Sequence, residues 1–90
     1  MNIEITDSAK EKLLLMKERN MPITITRFPV GWAGFKYKIV SVKQSKNDKL
    51  YNVDGFDIIV TEDSEFELKG AKIDYGGFLV KDFIVSPKFS

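Results

Sequence analysis

Residues 50–60 read Leu-Tyr-Asn-Val-Asp-Gly-Phe-Asp-Ile-Ile-Val and contain the strongest local structural signal in the chain. Two runs of strand-forming residues, 50–53 and 56–60, flank the dipeptide Asp54-Gly55. Aspartate followed by glycine is typical of a tight hairpin turn, because glycine readily takes a positive φ angle. The stretch therefore predicts two antiparallel strands joined by a two-residue turn.

The sequence on the C-terminal side of this hairpin predicts more β-structure. Residues 61–69 are acidic, and we expect them to hold one short helical turn that ends at Gly70. Residues 71–75 and 78–86 have strand-like patterns and flank Gly76-Gly77. This arrangement predicts a second hairpin.

The N-terminal side predicts a short strand and a single α-helix. Residues 3–6 alternate apolar and polar side chains, as a half-buried strand does. The polar residues at 6–8 are types that cap helix N-termini. The helix is expected to run to about Arg19, because Asn20 can terminate it and Pro22 blocks its continuation.

Two further strands are expected between this helix and the first hairpin. Residues 23–28 and 35–43 alternate in side-chain character and are rich in β-branched and aromatic types. Residues 29–34 form the loop between them. The whole pattern predicts a mainly β fold, a small antiparallel sandwich or pseudo-barrel of about six or seven short strands with one N-terminal α-helix. The sequence has neither a linker nor an internal repeat, so residues 1–90 are expected to form one domain.

Composition excludes several classes of function. The chain has no cysteine and no histidine. This excludes disulfides, Cys-His zinc sites, cysteine-ligated iron–sulfur clusters and Ser-His-Asp triads within one chain. No combination of residues supplies both a nucleophile and a credible base. We therefore expect a protein that is not an enzyme, with no catalytic residues, no metal ligands and no cofactor.

The charge balance limits the expected partners. Fourteen Lys plus Arg residues against 13 Asp plus Glu residues give a formal net charge of +1. So small a net charge provides no broad field to attract nucleic acid or an anionic membrane, and neither is expected as a partner. The N-terminus lacks the pattern of a signal peptide. Together with the lack of cysteine, this favours a cytoplasmic location.

Four segments carry a recognisable order of motifs: residues 3–9, Ile-Glu-Ile-Thr-Asp-Ser-Ala, residues 31–37, Gly-Trp-Ala-Gly-Phe-Lys-Tyr, residues 53–60, which begin Val-Asp-Gly, and residues 70–75, Gly-Ala-Lys-Ile-Asp-Tyr. In this order they resemble the HesB/IscA-type family of A-type iron–sulfur carriers. Residues 3–9 resemble its opening strand and helix cap, and residues 31–37 resemble its Gly-Cys-Ser-Gly-Phe-x-Tyr loop. Residues 53–60 are similar to its Val-Asp-Gly hairpin, and residues 70–75 to its Gly-x-x-Ile-Asp-Tyr strand, with 83–87 following. The resemblance covers nearly the whole chain and implies a HesB-like fold.

The departures from the family pattern bear directly on function. The resemblance implies three cysteine ligands, one in the Gly-Cys-Ser-Gly loop and two in a C-terminal Cys-Gly-Cys tail, because thiolates are the ligands that suit iron in clusters. Here Trp32 occupies the loop position, and the sequence reaches Ser90 before such a tail would begin. The resemblance therefore implies a fold and an iron–sulfur-related ancestry without the cluster ligands.

The loop that carries this substitution is the most unusual stretch of the chain. Residues 28–35 contain three large aromatic residues, two glycines and a proline. An exposed Trp32 would mark a partner or ligand site, whereas an inward Trp32 would fill the space of the lost cluster as a core anchor. Both placements are open at this point. The candidate partner- or ligand-binding residues are Phe28, Val30, Gly31, Trp32, Gly34 and Phe35.

Three functional hypotheses follow. The first is a non-catalytic HesB-like domain that contacts another protein, or a second copy of itself, through the Trp32 loop. The second is a weak iron binder in which carboxylate or tyrosine oxygens from two chains of a dimer hold the metal. The third is a small-molecule binding module with a pocket between the helix and the sheet, in place of the former cluster site.

Overall fold

A computed structural model describes residues 1–90, apart from the side chain of Ala33. Within this part of the chain, seven strands in two sheets enclose one hydrophobic core. The elements are, in chain order, β1 (Asn2–Ile5), α1 (Asp7–Glu18), β2 (Ile23–Pro29), a 3₁₀ turn (Gly31–Ala33), β3 (Phe35–Val40), β4 (Lys49–Val53), β5 (Phe56–Val60), α2 (Glu62–Glu67), β6 (Gly70–Gly76) and β7 (Asp82–Lys88).

The sheets have the strand orders β1-β6-β7 and β3-β2-β5-β4. The β1/β6 and β2/β5 pairs are parallel, and the β2/β3, β4/β5 and β6/β7 pairs are antiparallel. The edge strands β3 and β7 also lie against each other, which brings the two sheets together as a pseudo-barrel. The predicted mainly β fold with an N-terminal helix is confirmed, and α2 is a second, short helix.

The start of α1 is tied to the sheet by its capping residue. The Thr6 hydroxyl accepts the Ala9 N–H at 3.3 Å and donates to Asp74 Oδ1 on β6 at 2.8 Å, and the Ser8 hydroxyl donates to the same oxygen at 3.0 Å. The bond from Thr6 contributes most to lowering the pKa of Asp74, together with bonds from the Tyr75 N–H and from Ser8. The predicted cap region is correct, and Thr6 is the cap itself.

The core lies between α1 and the inner faces of the two sheets. The buried face of α1 consists of Ala9 and Leu13. The helix ends at Glu18, and Asn20 turns the chain with a φ of 54°. The fully buried large aliphatic side chains are Leu13, Ile25, Ile58, Val60 and Ile73.

The predicted extent of β3 is wrong. The strand ends at Val40 and does not reach residue 43, because Val40 pairs with Thr24 close to the start of β2. Beyond this pair the chain turns away, and the buried Thr24 hydroxyl donates to the carbonyl of Val42 at 2.6 Å. The end of the partner strand therefore limits the length of β3.

The predicted second hairpin has a longer loop than expected. The last pair is Gly76 with Asp82, so residues 77–81 form the connection and β7 begins at Asp82. The acidic stretch also differs from its prediction. Its helix spans six residues and ends before Leu68, while Gly70 already belongs to β6.

The described residues contain no helix with the length and apolar character needed to cross a bilayer.

Candidate functional site

The Trp32 loop, defined as residues 30–34, joins β2 to β3 at the end of their hairpin. Its ends are linked by a hydrogen bond from the Val30 N–H to the Gly34 carbonyl at 2.9 Å. Gly31 and Gly34 have φ angles of 54° and 95°, in the region that glycine adopts without strain. The loop is therefore a closed turn whose shape depends on its two glycines.

Trp32 is fully exposed on this turn, with a relative accessibility of 105%. The placement in which Trp32 fills the core is therefore wrong, because side chains from α1 and both sheets close the core without it. A large apolar side chain left in water forgoes about 1.5–3 kcal/mol of burial free energy. Burial of this side chain against another molecule would recover that free energy.

The other two aromatic candidates do not share a face with each other. Phe28 and Phe35 occupy neighbouring rungs of the β2–β3 ladder, so their side chains point to opposite sides of the sheet. The Lys38 ammonium lies 5.2 Å from the centre of the Phe28 ring, whereas the Arg27 guanidinium lies 3.9 Å from that of Phe35. The two phenylalanine candidates therefore lie on two different faces of the hairpin.

A polar network that the sequence analysis missed lies beside Phe35. Arg27 donates to Glu67 and pairs through Nε with Asp63 Oδ2 at 3.4 Å. The hydroxyl of the buried Tyr37 also donates to Glu67. These bonds join β2, β3 and α2. One sequence signal could have indicated the network: Arg27 stands at a core-facing position of β2, where an unpaired guanidinium would be costly.

The network changes the acidity of its members. Burial, and then the hydrogen bond to Glu67, raise the pKa of Tyr37 to about 12. Burial also tends to raise the pKa of Asp63. Hydrogen bonds from the Thr61 hydroxyl and the Ser64 N–H, with the charge of Arg27, outweigh it and hold this pKa below its usual value. Tyr37 is thus neutral and Asp63 ionised at neutral pH.

The residues at the loop do not fit an iron–sulfur cluster. Trp32 stands where the resemblance implies a cysteine ligand. Its indole N–H only donates hydrogen bonds and has no lone pair available to bind a metal ion. The chain supplies no thiolate from any other position. Within residues 1–90, leaving aside the side chain of Ala33, no group of three or more acidic side chains is arranged to hold a metal ion.

Two open grooves border α1, each of about 350 Å³. One lies beside Lys17, Met21 and Phe56, and the other beside Lys12 and Tyr75. Both are lined by residues outside the Trp32 loop. The two grooves provide the space between helix and sheet that the small-molecule hypothesis requires. They do not include Trp32, which stands at the position of the family's loop cysteine.

The substitution Tyr37→Phe tests the network. It removes one donor to the Glu67 carboxylate and is expected to lower the free energy of unfolding by about 1–3 kcal/mol, measured by urea denaturation.

The Tyr37 pKa of about 12 also predicts that the stability of the protein depends on pH in the alkaline range. Because the unfolded phenol loses its proton near pH ~10, its contribution to stability should persist below that pH and be lost as the pH rises toward ~12.

The matched control is Tyr75→Phe. The Tyr75 ring packs edge-on against Phe83 with centroids 5.2 Å apart, outside the network, so loss of its hydroxyl should change stability by less than about 0.5 kcal/mol. If Tyr37→Phe is as stable as the control and loses the same stability at alkaline pH as the wild type, the network has no energetic role.

The comparisons with known proteins identify the fold. No family model and no curated protein matches the chain. The crystal structure of Escherichia coli SufA, a protein involved in biosynthesis of iron–sulfur clusters, has a TM-score of 0.76 at 22% identity and covers 96% of this chain and 80% of SufA. The structure of IscA with its 2Fe-2S cluster has a TM-score of 0.74 at 18% identity and covers 94% and 84% of the two chains.

These two likenesses extend over nearly the whole chain and confirm the fold that the resemblance implies. SufA is involved in the biosynthesis of iron–sulfur clusters, and the IscA structure contains such a cluster. This chain contains no thiolate that could bind one. The chain therefore has the HesB/IscA-type fold of SufA and IscA, and it has this fold without a single cysteine.

Proposed function

We propose that this protein is a non-catalytic HesB-like module that works by contacting another protein through the Trp32 loop. The contact residues are Phe28, Val30, Gly31, Trp32, Gly34 and Phe35. The observation that carries the proposal is the complete exposure of Trp32 on a closed turn. Tryptophan is among the residue types that contribute most free energy when they are buried at a protein interface.

The structure of the loop supports this role in a second way. The bond between Val30 and Gly34 fixes the ends of the turn, and the Arg27 guanidinium stacks on Phe35 at its base. A surface that is already ordered loses less conformational entropy when it binds. The backbone that presents Trp32 therefore adds little to the free-energy cost of association.

The fold and the composition together suggest the setting of this contact. SufA is involved in the biosynthesis of iron–sulfur clusters, and the IscA structure contains one. A chain of the same fold that lacks cysteine shares the backbone arrangement of such proteins but not the thiolates that ligate a cluster. We thus propose a cytoplasmic partner-binding protein related to cluster assembly, whose partner is another protein or, alternatively, a second copy of the chain.

A comparison of three proteins tests the proposal by affinity capture from an extract of the native cell: the wild type, Trp32→Ala and Phe78→Ala. Phe78 is a matched control, since it is a large aromatic residue that is almost fully exposed on a different loop. Wild type and Phe78→Ala should retain the same protein, and Trp32→Ala should retain at least about tenfold less, as expected for an interface hot spot.

Stability measurements separate loss of contact from loss of fold. Because Trp32 is fully exposed, Trp32→Ala should change the free energy of unfolding by no more than about 0.5 kcal/mol. Equal capture by all three proteins, or no specific capture by the wild type, would contradict the proposed function.

A further inference from the structure

The surface beside the Trp32 loop combines exposed aromatic rings with an excess of acidic groups. We propose that this surface docks a basic segment of a partner protein that carries apolar anchor residues. The inference rests on the proposed function, because it gives the chemistry of the partner. We define the aromatic–acidic face by Phe35, Glu62, Asp63, Phe66, Glu67 and Phe89.

Contacts through Arg27 and Tyr37 connect four residues of this face, Phe35, Asp63, Glu67 and Phe89. Arg27 stacks on Phe35 at 3.9 Å and pairs with the two carboxylates of α2 that face it, Asp63 and Glu67. Tyr37 donates to Glu67 and packs against Phe89, with ring centroids 6.3 Å apart. The hairpin base, α2 and the end of the chain thus meet at one place.

The apolar part of the face consists of three exposed phenylalanine side chains. The exposed fractions of Phe35, Phe66 and Phe89 are 52%, 87% and 59%. Phe66 points outward because the opposite side of α2 is anchored in the protein through the buried Ser64 and Leu68. Large exposed apolar patches on soluble proteins typically mark interaction sites, and this patch consists of aromatic rings.

The charge of the face selects a partner of opposite sign. The six residues of α2 include no basic side chain, and the helix contributes three carboxylates to the face, those of Glu62, Asp63 and Glu67. Arg27 is the cation that pairs with the last two, so the face keeps an excess of negative charge. The fourth carboxylate of α2, Glu65, is bound apart from the face and accepts the Tyr51 hydroxyl at 2.8 Å. Lys88, which precedes Phe89, is already paired with Glu4 at 3.0 Å. Glu62 lies one helical turn before Phe66, so an acidic and an aromatic side chain share the outer side of α2. Electrostatic complementarity therefore favours lysine and arginine in the partner.

The same charge disfavours the other occupants of such a face. A twofold contact between two copies would place the acidic helix of one chain against that of the other. Anionic lipid headgroups and nucleic-acid phosphates would be repelled in the same way. A basic peptide segment with aromatic or aliphatic anchors satisfies both the rings and the carboxylates.

Two synthetic peptides test this inference: acetyl-Lys-Phe-Lys-Lys-Phe-Lys-amide and the same peptide with Glu at every Lys position. Binding to the full chain is measured by NMR titration at low and at physiological salt. The basic peptide should shift resonances of α2 and of the hairpin base and should bind more weakly as salt increases. The acidic peptide should produce no such shifts.

Two pairs of variants locate the binding. Phe66→Ala should lower the affinity for the basic peptide by about tenfold, because it removes an anchor residue. Glu62→Gln should lower this affinity by about twofold to fivefold, because it removes a single exposed charge. The matched controls, Phe78→Ala and Glu11→Gln, are expected to bind as the wild type does. Neither Phe66 nor Glu62 belongs to the Arg27 network, so both variants should keep the stability of the wild type.

Equal binding of the two peptides, or undiminished binding by Phe66→Ala, would overturn the inference. Its failure is distinguishable from failure of the proposed function. If capture of the partner depends on Trp32 but the chain shows no preference for the basic peptide, only the inferred chemistry of the partner is wrong. If the chain clearly prefers the basic peptide but Trp32→Ala captures as much partner as the wild type, only the proposed role of the loop is wrong.

Discussion

Ile25→Ala is expected to lower the free energy of unfolding by about 2–5 kcal/mol, measured by urea denaturation. Ile25 is fully buried on β2, between Ile39 of β3 and Val60 of β5. Truncation removes apolar contacts and leaves a cavity, because neighbours on both adjoining strands are fixed in the sheet. The same strand continues to Arg27, so the variant should also loosen the base of the Trp32 hairpin.

The control for this prediction is Ile84→Ala. Ile84 is the same residue type in a strand of the other sheet, but its side chain is half-exposed. The same truncation should cost less than about 1 kcal/mol there, because little burial is lost and solvent fills the space. If both variants lose equal stability, Ile25 is not the fully buried core residue described above.

Gly77→Ala is expected to lower the free energy of unfolding by about 1–3 kcal/mol or more. Gly77 has a φ of 137°, and a Cβ atom built there would clash with the Val80 carbonyl oxygen. The obstacle is backbone, so no side-chain rotation can relieve the contact. The whole connection between β6 and β7 would have to move, and urea denaturation measures the cost.

The adjacent glycine supplies the control. A Cβ at Gly76 would meet no atom within 4 Å, and its φ lies outside the region reserved for glycine. Gly76→Ala should therefore change stability by less than about 1 kcal/mol. Equal losses for the two variants would show that the close approach of Gly77 to Val80 is not a feature of the native loop.

The contrast between the two hairpins shows where local sequence suffices. Asp54 and Gly55 have φ angles of 53° and 84°, and they join β4 to β5 by the predicted two-residue turn. Gly76-Gly77 is an equally strong local signal, but pairing ends at Gly76 and a longer loop follows. The difference lies in the contact of Gly77 with Val80, which a turn dipeptide does not encode.

The candidate site was predictable only in its position along the chain. The glycines, the proline and the aromatic residues of 28–35 indicated an unusual loop, and the structure places it at the end of a hairpin. The exposure of Trp32 was not predictable, because composition is compatible with either placement. The core-facing position of Arg27 indicated that it needs a partner, but Glu67 was not predictable as that partner, since the two residues are 40 positions apart and meet only when α2 packs on β2.

The parallel pairs of strands were also beyond a local prediction. β1 pairs with β6, and β2 with β5, across long segments of intervening chain. Alternating side-chain patterns identify each strand but carry no information about its neighbour or direction. The local patterns predicted an antiparallel arrangement, which the β2/β3, β4/β5 and β6/β7 pairs have and the β1/β6 and β2/β5 pairs do not. The resemblance to the HesB/IscA-type family implied the fold as a whole.

Site-specific photo-crosslinking in the native cell extract tests the role of the Trp32 loop most directly, with a photoreactive amino acid placed at position 32 or, as the control, at position 78. If the loop is the contact surface, a discrete covalent adduct with one protein should form from position 32, and that adduct should be absent from position 78. An adduct from both positions, or from position 78 alone, would contradict the claim that the Trp32 loop is the contact surface of this protein.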